Sequence, residues 1–159
     1  MQKLTTCLWF DGQAEEAVKF YTTIFKNSKV GKILRNGKAN LDPEGTVLTA
    51  SFELEGREFL ALNGGPHYKF TPATSFIIHC ENQEEVDYYW EKLLEGGGRE
   101  SQCGWLDDKF GVAWQVSPTI LPKLLSDPDP VKANRVMEAM MQMVKLDIKK
   151  MQQAYDGKI

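Results

Sequence analysis

Hydrophobic positions in this chain follow two rhythms, a period of two and a period of three to four, and the same order of rhythms is read twice. Residues 5–10 form a short, mostly apolar run that predicts a strand. Behind it, Ala17, Val18, Tyr21, Ile24 and Phe25 fall at i, i+1, i+4, i+7 and i+8, one face of an amphipathic helix. Strand candidates follow at 32–35 and 46–55. In the longer one Val47, Thr49, Ser51 and Glu53 alternate with Leu48, Ala50, Phe52 and Leu54, so one side is polar and the other apolar. Glu55-Gly56 is a turn signal, and residues 57–62 return as the hairpin partner. The first half therefore predicts β-α-β-β-β.

The pattern restarts after the breakers Gly64-Gly65-Pro66 and Thr71-Pro72. Ser75–Cys80 predicts a strand. Asn82 opens a helix, with Glu85 three places on as the other half of a capping box. Val86, Tyr89, Trp90, Leu93 and Leu94 form its apolar face, and Gly96-Gly97-Gly98 stops it. Short strands are expected at 100–103 and 104–106, and a clearer one at 111–116. The two helix starts also echo each other in sequence: Gln13-Ala14-Glu15-Glu16-Ala17-Val18 against Asn82-Gln83-Glu84-Glu85-Val86-Asp87. A unit repeated half a chain apart suggests two copies of one supersecondary structure.

These observations give an α+β fold of two βαβββ modules, about 1–65 and 73–118, expected to share one curved mixed sheet with a cleft. Residues 119–159 form a linker and a C-terminal helix. Asp129 is its N-cap and Pro130 its first helical residue. Met137, Met140, Met141, Val144, Ile148, Met151 and Tyr155 continue the helical spacing, so one long helix is expected to run to Tyr155. Core or interface packing is the ordinary use of such a methionine stripe. The spacing leaves open whether it covers the sheet or meets a second subunit.

Charge then narrows the function. The formal net charge of −3, without a basic stretch, gives nucleic acid no electrostatic foothold. No apolar run is long enough to span a membrane, and the start of the chain lacks a secretory signal pattern. Three scattered cysteines, Cys7, Cys80 and Cys103, read as reduced thiols of a cytoplasmic protein.

The segments Cys7-Leu8-Trp9-Phe10-Asp11-Gly12, Ala17 to Tyr21, and Gln102 to Val116 with its Cys-Gly-Trp and Trp-Gln pairs carry a family likeness. They resemble the vicinal oxygen chelate superfamily of glyoxalases, bleomycin-resistance proteins and extradiol dioxygenases. Within it, the chain looks like the PhnB-like branch, often labelled 3-demethylubiquinone-9 3-methyltransferase. The resemblance implies paired βαβββ modules and a homodimer. Metal-using members place ligands on the first and last strands of each module, and those positions here hold Thr6, Phe59, Phe76 and Gln115. No divalent-metal site is therefore expected, because threonine and phenylalanine are not ligands here and an amide is a weak one. No cofactor is expected either: a Rossmann-type methyl-donor site needs a glycine-rich turn between strand and helix, which neither glycine cluster provides.

The cleft is expected to be lined by Thr6, Asn63, Phe76, Cys103, Trp105 and Gln115. Trp105 can stack on a planar ligand, and Gln115 can donate and accept hydrogen bonds. With Phe76 facing the cleft, His79 is expected on the opposite side of its strand. His67 and His79 form a formal metal pair without a placed carboxylate. Cys103 is a weak catalytic candidate, lacking a recognisable group to lower its pKa. Glu15-Glu16 and Glu84-Glu85 suit the first turns of helices, and Asp107-Asp108 a turn before the last strand.

Two classes of function follow. The first is metal-independent binding of a small, partly aromatic or amphipathic molecule. The alternative is a glyoxalase- or dioxygenase-type enzyme with displaced ligands, or the methyltransferase of the family label.

Overall fold

The structure, a computed structural model, describes residues 2–158. The chain divides into two compact units, Met1–Phe70 and Thr71–Ile159.

The first unit contains β1 (Thr6–Phe10), α1 (Ala14–Ile24), β2 (Ser28–Arg35), β3 (Val47–Leu54) and β4 (Arg57–Asn63). Its four strands lie in the order β1-β4-β3-β2, with β1 parallel to β4 and the other neighbours antiparallel. Alternation along β3 decides which face is covered. Ala50, Phe52 and Leu54 are buried, and so are the facing α1 residues Ala14, Ala17, Val18, Tyr21 and Ile24. The Tyr21 ring stacks on Phe52, and Phe52 on Phe59, with centroids 6.1 and 5.1 Å apart. At the β3–β4 hairpin, Glu55 and Gly56 both take left-handed backbone (φ 48° and 77°). That pair is what a two-residue turn of the I′ kind requires, and it fixes the strand register.

The second unit repeats this plan with β5 (Ser75–Cys80), α2 (Gln83–Leu94), β6 (Arg99–Glu100), β7 (Trp105–Asp107) and β8 (Ala113–Pro118) in the order β5-β8-β7-β6. Val86, Trp90 and Leu93 are the buried face of α2. Its predicted cap is present: the Glu85 N–H donates to Asn82 Oδ1 at 2.9 Å. Glu85 in turn reaches back to the Glu81 N–H at 2.9 Å, one residue before the N-cap. The expected α+β class and its two βαβββ modules are thus what the chain forms. Each module closes its own four-stranded sheet, so the eight strands lie in two sheets.

The tail departs from expectation. In place of one helix there are three: α3 (Ile120–Leu125), α4 (Pro130–Met141) and α5 (Ile148–Asp156). Asp129 does cap α4, accepting from Val131 N at 2.9 Å. The helix then stops because residues 142–147 are bonded elsewhere within the unit. The Met143 and Val144 carbonyls accept from the Cys103 and Gly104 N–H groups, each at 2.8 Å. The Gln83 side chain brackets the break, donating to Leu146 O at 3.1 Å and accepting from Ile148 N at 2.9 Å. Asp147 then caps the new helix through Lys150 N at 3.0 Å. The core of the tail differs from the expected stripe: Leu121, Leu124, Val136, Leu146 and Met151 are buried together, Met140, Ile148 and Tyr155 pack against them, and Met137 and Met141 are exposed. Among the described residues, no helix is long and apolar enough to cross a membrane.

Candidate functional site

Each sheet has a face covered by its helix and an opposite, open face, and cross-strand register assigns every strand residue to one of them. In the first unit Leu8, Phe10, Phe59 and Ala61 are buried on the covered side. Thr6 pairs with Phe59 and alternates with Leu8, so it belongs to that side too. Cys7, Trp9, Leu60 and Leu62 face the other way. Asn63 is likewise committed to structure: its Oδ1 accepts from the Ala14 N–H at 2.9 Å and its Nδ2 donates to Val47 O at 3.0 Å. It caps α1, whose own N-cap residue, Gln13, makes no side-chain capping bond.

In the second unit the phase of β5 is opposite to the one expected. Phe76 pairs with buried Trp114, their rings 5.3 Å apart, and lies on the covered side with Ile78 and Cys80. His79 pairs with Ser117 and shares the open face with Ser75, Ile77, Gln115 and Trp105. The order of burial makes the reason plain: Cys80, Trp114, Val116 and Pro118 are buried, whereas Ile77 is 50% exposed. Gln115 and Trp105 are direct cross-strand partners, and Gln115 Nε2 donates to Ser75 Oγ at 2.9 Å. Cys103 sits in the turn before β7 with φ 59°, half-buried, its N–H held by Met143 O. The six expected cleft residues therefore separate. Thr6, Asn63 and Phe76 serve the covered sides, Trp105 and Gln115 meet on an open face, and Cys103 belongs to a turn stapled to the tail. His67 lies in the exposed loop before residue 70, in the other unit from His79.

A concave site that the sequence reading did not single out lies on the open face of the first sheet. It encloses about 510 Å³ and is lined by Thr5, Lys29, Gly31, Ser51, Glu53, Glu58 and Leu60, with Phe52 and Phe59 between them along the strands. The β2 bulge shapes it. The register slips between Val30 and Ile33, a device that bends a strand and re-aims its side chains. Here it brings the Lys32 N–H to Ser51 Oγ at 2.7 Å. A Cβ on Gly31 would collide with that hydroxyl, so only glycine fits. Lys29 Nζ sits 2.9 Å from Glu53 Oε2. This pairing, through its hydrogen bond first and its charge second, holds the Lys29 ammonium above its ordinary pKa. Glu58 Oε2 accepts from Gln2 N at 3.2 Å and Thr5 Oγ1 at 3.5 Å. One signal for this site was present in the sequence. Glu53 and Glu58 are equidistant from the Glu55-Gly56 turn, which makes them direct partners on the polar side of the hairpin.

The sequence model of the family described as 3-demethylubiquinone-9 3-methyltransferase matches residues 2–117. The chain belongs to that family. A Bacillus cereus PhnB protein, described by the same activity, is 39% identical and superposes with a TM-score of 0.67 over 74% of this chain and 99% of its own. PA1353 from Pseudomonas aeruginosa shares the fold at 19% identity, with a TM-score of 0.61 over 74% of this chain and 98% of its own. A Frankia domain described as glyoxylase/bleomycin resistance protein/dioxygenase is 15% identical, with a TM-score of 0.47 over 74% of this chain and 92% of its own. No curated protein matches the chain. The match ends at residue 117, so α3, α4 and α5 lie beyond the part the family defines.

The family's label and the metal chemistry weighed from the sequence can both be tested on donor chemistry. On the open faces, β1 and β4 offer Cys7, Trp9, Glu58, Leu60 and Leu62, while β5 and β8 offer Ser75, Ile77, His79, Gln115 and Ser117. Among the described residues, no group of three or more His, Cys, Asp or Glu side chains is placed to hold a metal ion. The described residues do not fit such a metal within one chain. A methyl-donor nucleoside fits no better. The strand-to-helix connections are Asp11-Gly12-Gln13 and Glu81-Asn82, neither of them glycine-rich. The glycine runs lie elsewhere: Gly96 to Gly98 follow α2, and Gly64 packs against the Trp9 ring, where any Cβ would collide.

Proposed function

We propose that this protein binds a small, partly aromatic or amphipathic molecule on the open face of its first sheet, through side chains and not through a bound metal. The observation that carries the reading is the concave site of about 510 Å³ between Thr5, Ser51, Glu58 and Leu60. Its size is that of small-molecule pockets, commonly about 300–1,000 Å³, and it sets the polar side chains of Thr5, Lys29, Ser51, Glu53 and Glu58 beside apolar Leu60. Trp9 adds an aromatic edge on the same face, its indole N–H tied to Gly65 O at 2.8 Å and its ring set 5.0 Å from that of Tyr68. A homodimer belongs to the same proposal, and sedimentation of the untagged chain checks it.

The deciding experiment is metal analysis of untagged protein, followed by thermal unfolding with divalent ions, a methyl-donor nucleoside and a small-molecule library. A ligand at a hundredfold its Kd adds about 2.7 kcal/mol by mass action, which raises Tm by about 5–10 °C in a chain of this size. Stabilising hits from the library, with no response to metals or nucleoside, are expected. Stoichiometric metal, or a Tm rise with micromolar divalent ion, would overturn the reading in favour of a glyoxalase- or dioxygenase-type enzyme. A rise with the nucleoside would favour the methyltransferase of the family name.

A further inference from the structure

The pocket carries a charge pattern that selects among ligands. Lys29, Glu53 and Glu58 stand in one row across the sheet, because Lys29 is the register partner of Glu53 and Glu53 that of Glu58. Side chains of direct antiparallel partners rise from the same face with Cβ atoms about 4.5–5.5 Å apart, and like charges placed so repel. Lys29 bonds only one of the two carboxylates, Glu53, at 2.9 Å, and feels Glu58 through charge alone. Among the described residues, no lysine or arginine pairs with Glu58. Its hydrogen-bond donors, the Gln2 N–H and the Thr5 hydroxyl, are neutral, long, and both directed to Oε2. The row of two carboxylates and one ammonium that lines the pocket therefore carries one negative charge in excess.

We infer that the pocket prefers an organic cation, its ammonium head on Glu58 and its apolar body along Leu60 and the Gly31 backbone. This rests on the pocket being a small-molecule site, as proposed above. An anion would meet the surplus carboxylate, and Lys29 is already occupied. A bare divalent ion would find one free carboxylate and a hydroxyl, short of the six or more oxygens hard cations take. An ammonium needs one carboxylate and a few neutral acceptors, which Glu58, Thr5 and Ser51 supply.

The test compares three ligands of one shape, 4-phenylbutylamine, 4-phenylbutanol and 4-phenylbutanoate, titrated into the 15N-labelled full chain while the amides of Gly31, Ser51, Glu58 and Leu60 are followed. A charge-assisted hydrogen bond at a half-buried carboxylate predicts that the amine binds about tenfold more tightly than the alcohol. Glu58→Gln should bring amine and alcohol level. Lys29→Gln, which frees Glu53, should tighten the amine further, and the two opposite changes separate a charge effect from damage to the fold. If the alcohol binds as well as the amine, or the carboxylate binds best, the charge inference is overturned while the pocket stands. If none of the three moves those amides, the pocket reading falls with it. If micromolar magnesium, calcium or zinc moves them and the amine does not, the site is an inorganic cation site and the inference is wrong.

Discussion

Replacing Asn63 by alanine separates a ligand residue from a structural one, and the structure fixes the size of the effect. Asn63 holds the first turn of α1 through the Ala14 N–H and the end of β3 through Val47 O, at 2.9 and 3.0 Å. Ala14 is fully buried, so water cannot replace the lost acceptor. Losing the Ala14 bond costs about 1 kcal/mol as a helix cap and up to about 3 because the orphaned donor is buried. The Val47 bond, near the rim, adds about 0.5–1. Asn63→Ala should therefore destabilise the first unit by about 1.5–4 kcal/mol. Asn63→Asp keeps the acceptor, places a negative charge at the positive end of α1, and loses only the donor to Val47, so about 1 kcal/mol is expected. Native-state amide exchange, read at residues of α1 and separately at residues of α2, reports each unit on its own. A loss below about 0.5 kcal/mol for the alanine variant, or an aspartate variant as damaged as the alanine one, refutes the capping role.

Further outcomes follow from other contacts. Burial, reinforced by the Glu85 and Glu81 carboxylates, pushes the Cys80 thiol up to about 12. An alkylating reagent at pH 8 should therefore label exposed Cys7 and spare Cys80, as read by mass spectrometry; labelling of Cys80 in the folded chain would contradict its placement. A Cβ on Gly104, whose φ is 83°, would meet Leu146 Cδ1 at 2.9 Å and Val116 O at 3.0 Å. Gly104→Ala should thus cost about 1–3 kcal/mol, measured by urea unfolding, whereas Gly97→Ala meets nothing and is limited to backbone strain. The Tyr155 hydroxyl donates to Asp127 Oδ2 at 2.7 Å, and this bond is the first cause both of the lowered Asp127 pKa and of the raised Tyr155 pKa. A depressed carboxyl stabilises above its unfolded pKa and loses that as pH falls through the folded one. A raised phenol stabilises below its unfolded pKa and loses that as pH climbs through the folded one. The Tm gap between the wild type and Tyr155→Phe should accordingly be open at neutral pH and narrow below about pH 4 and above about pH 10. A gap independent of pH would dissolve the link.

Several elements were legible in the residues alone. The β3–β4 hairpin was, because Thr49, Ser51 and Glu53 contrast with Ala50, Phe52 and Leu54 and so fix both the strand and its buried side. Both helices were, from apolar spacing and, for α2, from the Asn82/Glu85 cap. The repeated βαβββ order followed from the restart after the glycine-proline loop. Facing was not legible where contrast was missing. In β1, Cys7, Leu8, Trp9 and Phe10 are all apolar, and in β5 so are Phe76, Ile77 and Ile78. Alternation says that Phe76 and His79 lie on opposite sides, but only the packed helix says which side is which. That is why Thr6 and Phe76 read as cleft residues and proved to belong to the covered faces.

Local sequence, then, determined the elements of the two modules and their order, since hydrophobic period, capping and turn chemistry act over fewer than a dozen residues. Tertiary structure decided what depends on partners far along the chain. Asn63 caps a helix 49 residues before it. The Cys103–Gly104 turn claims the carbonyls that would have continued α4 into α5. The pocket draws on β2, β3, β4 and Thr5, beside the start of β1. A backbone donor or a charge is satisfied by whatever the fold brings within about 3 Å, and no periodicity encodes that neighbour.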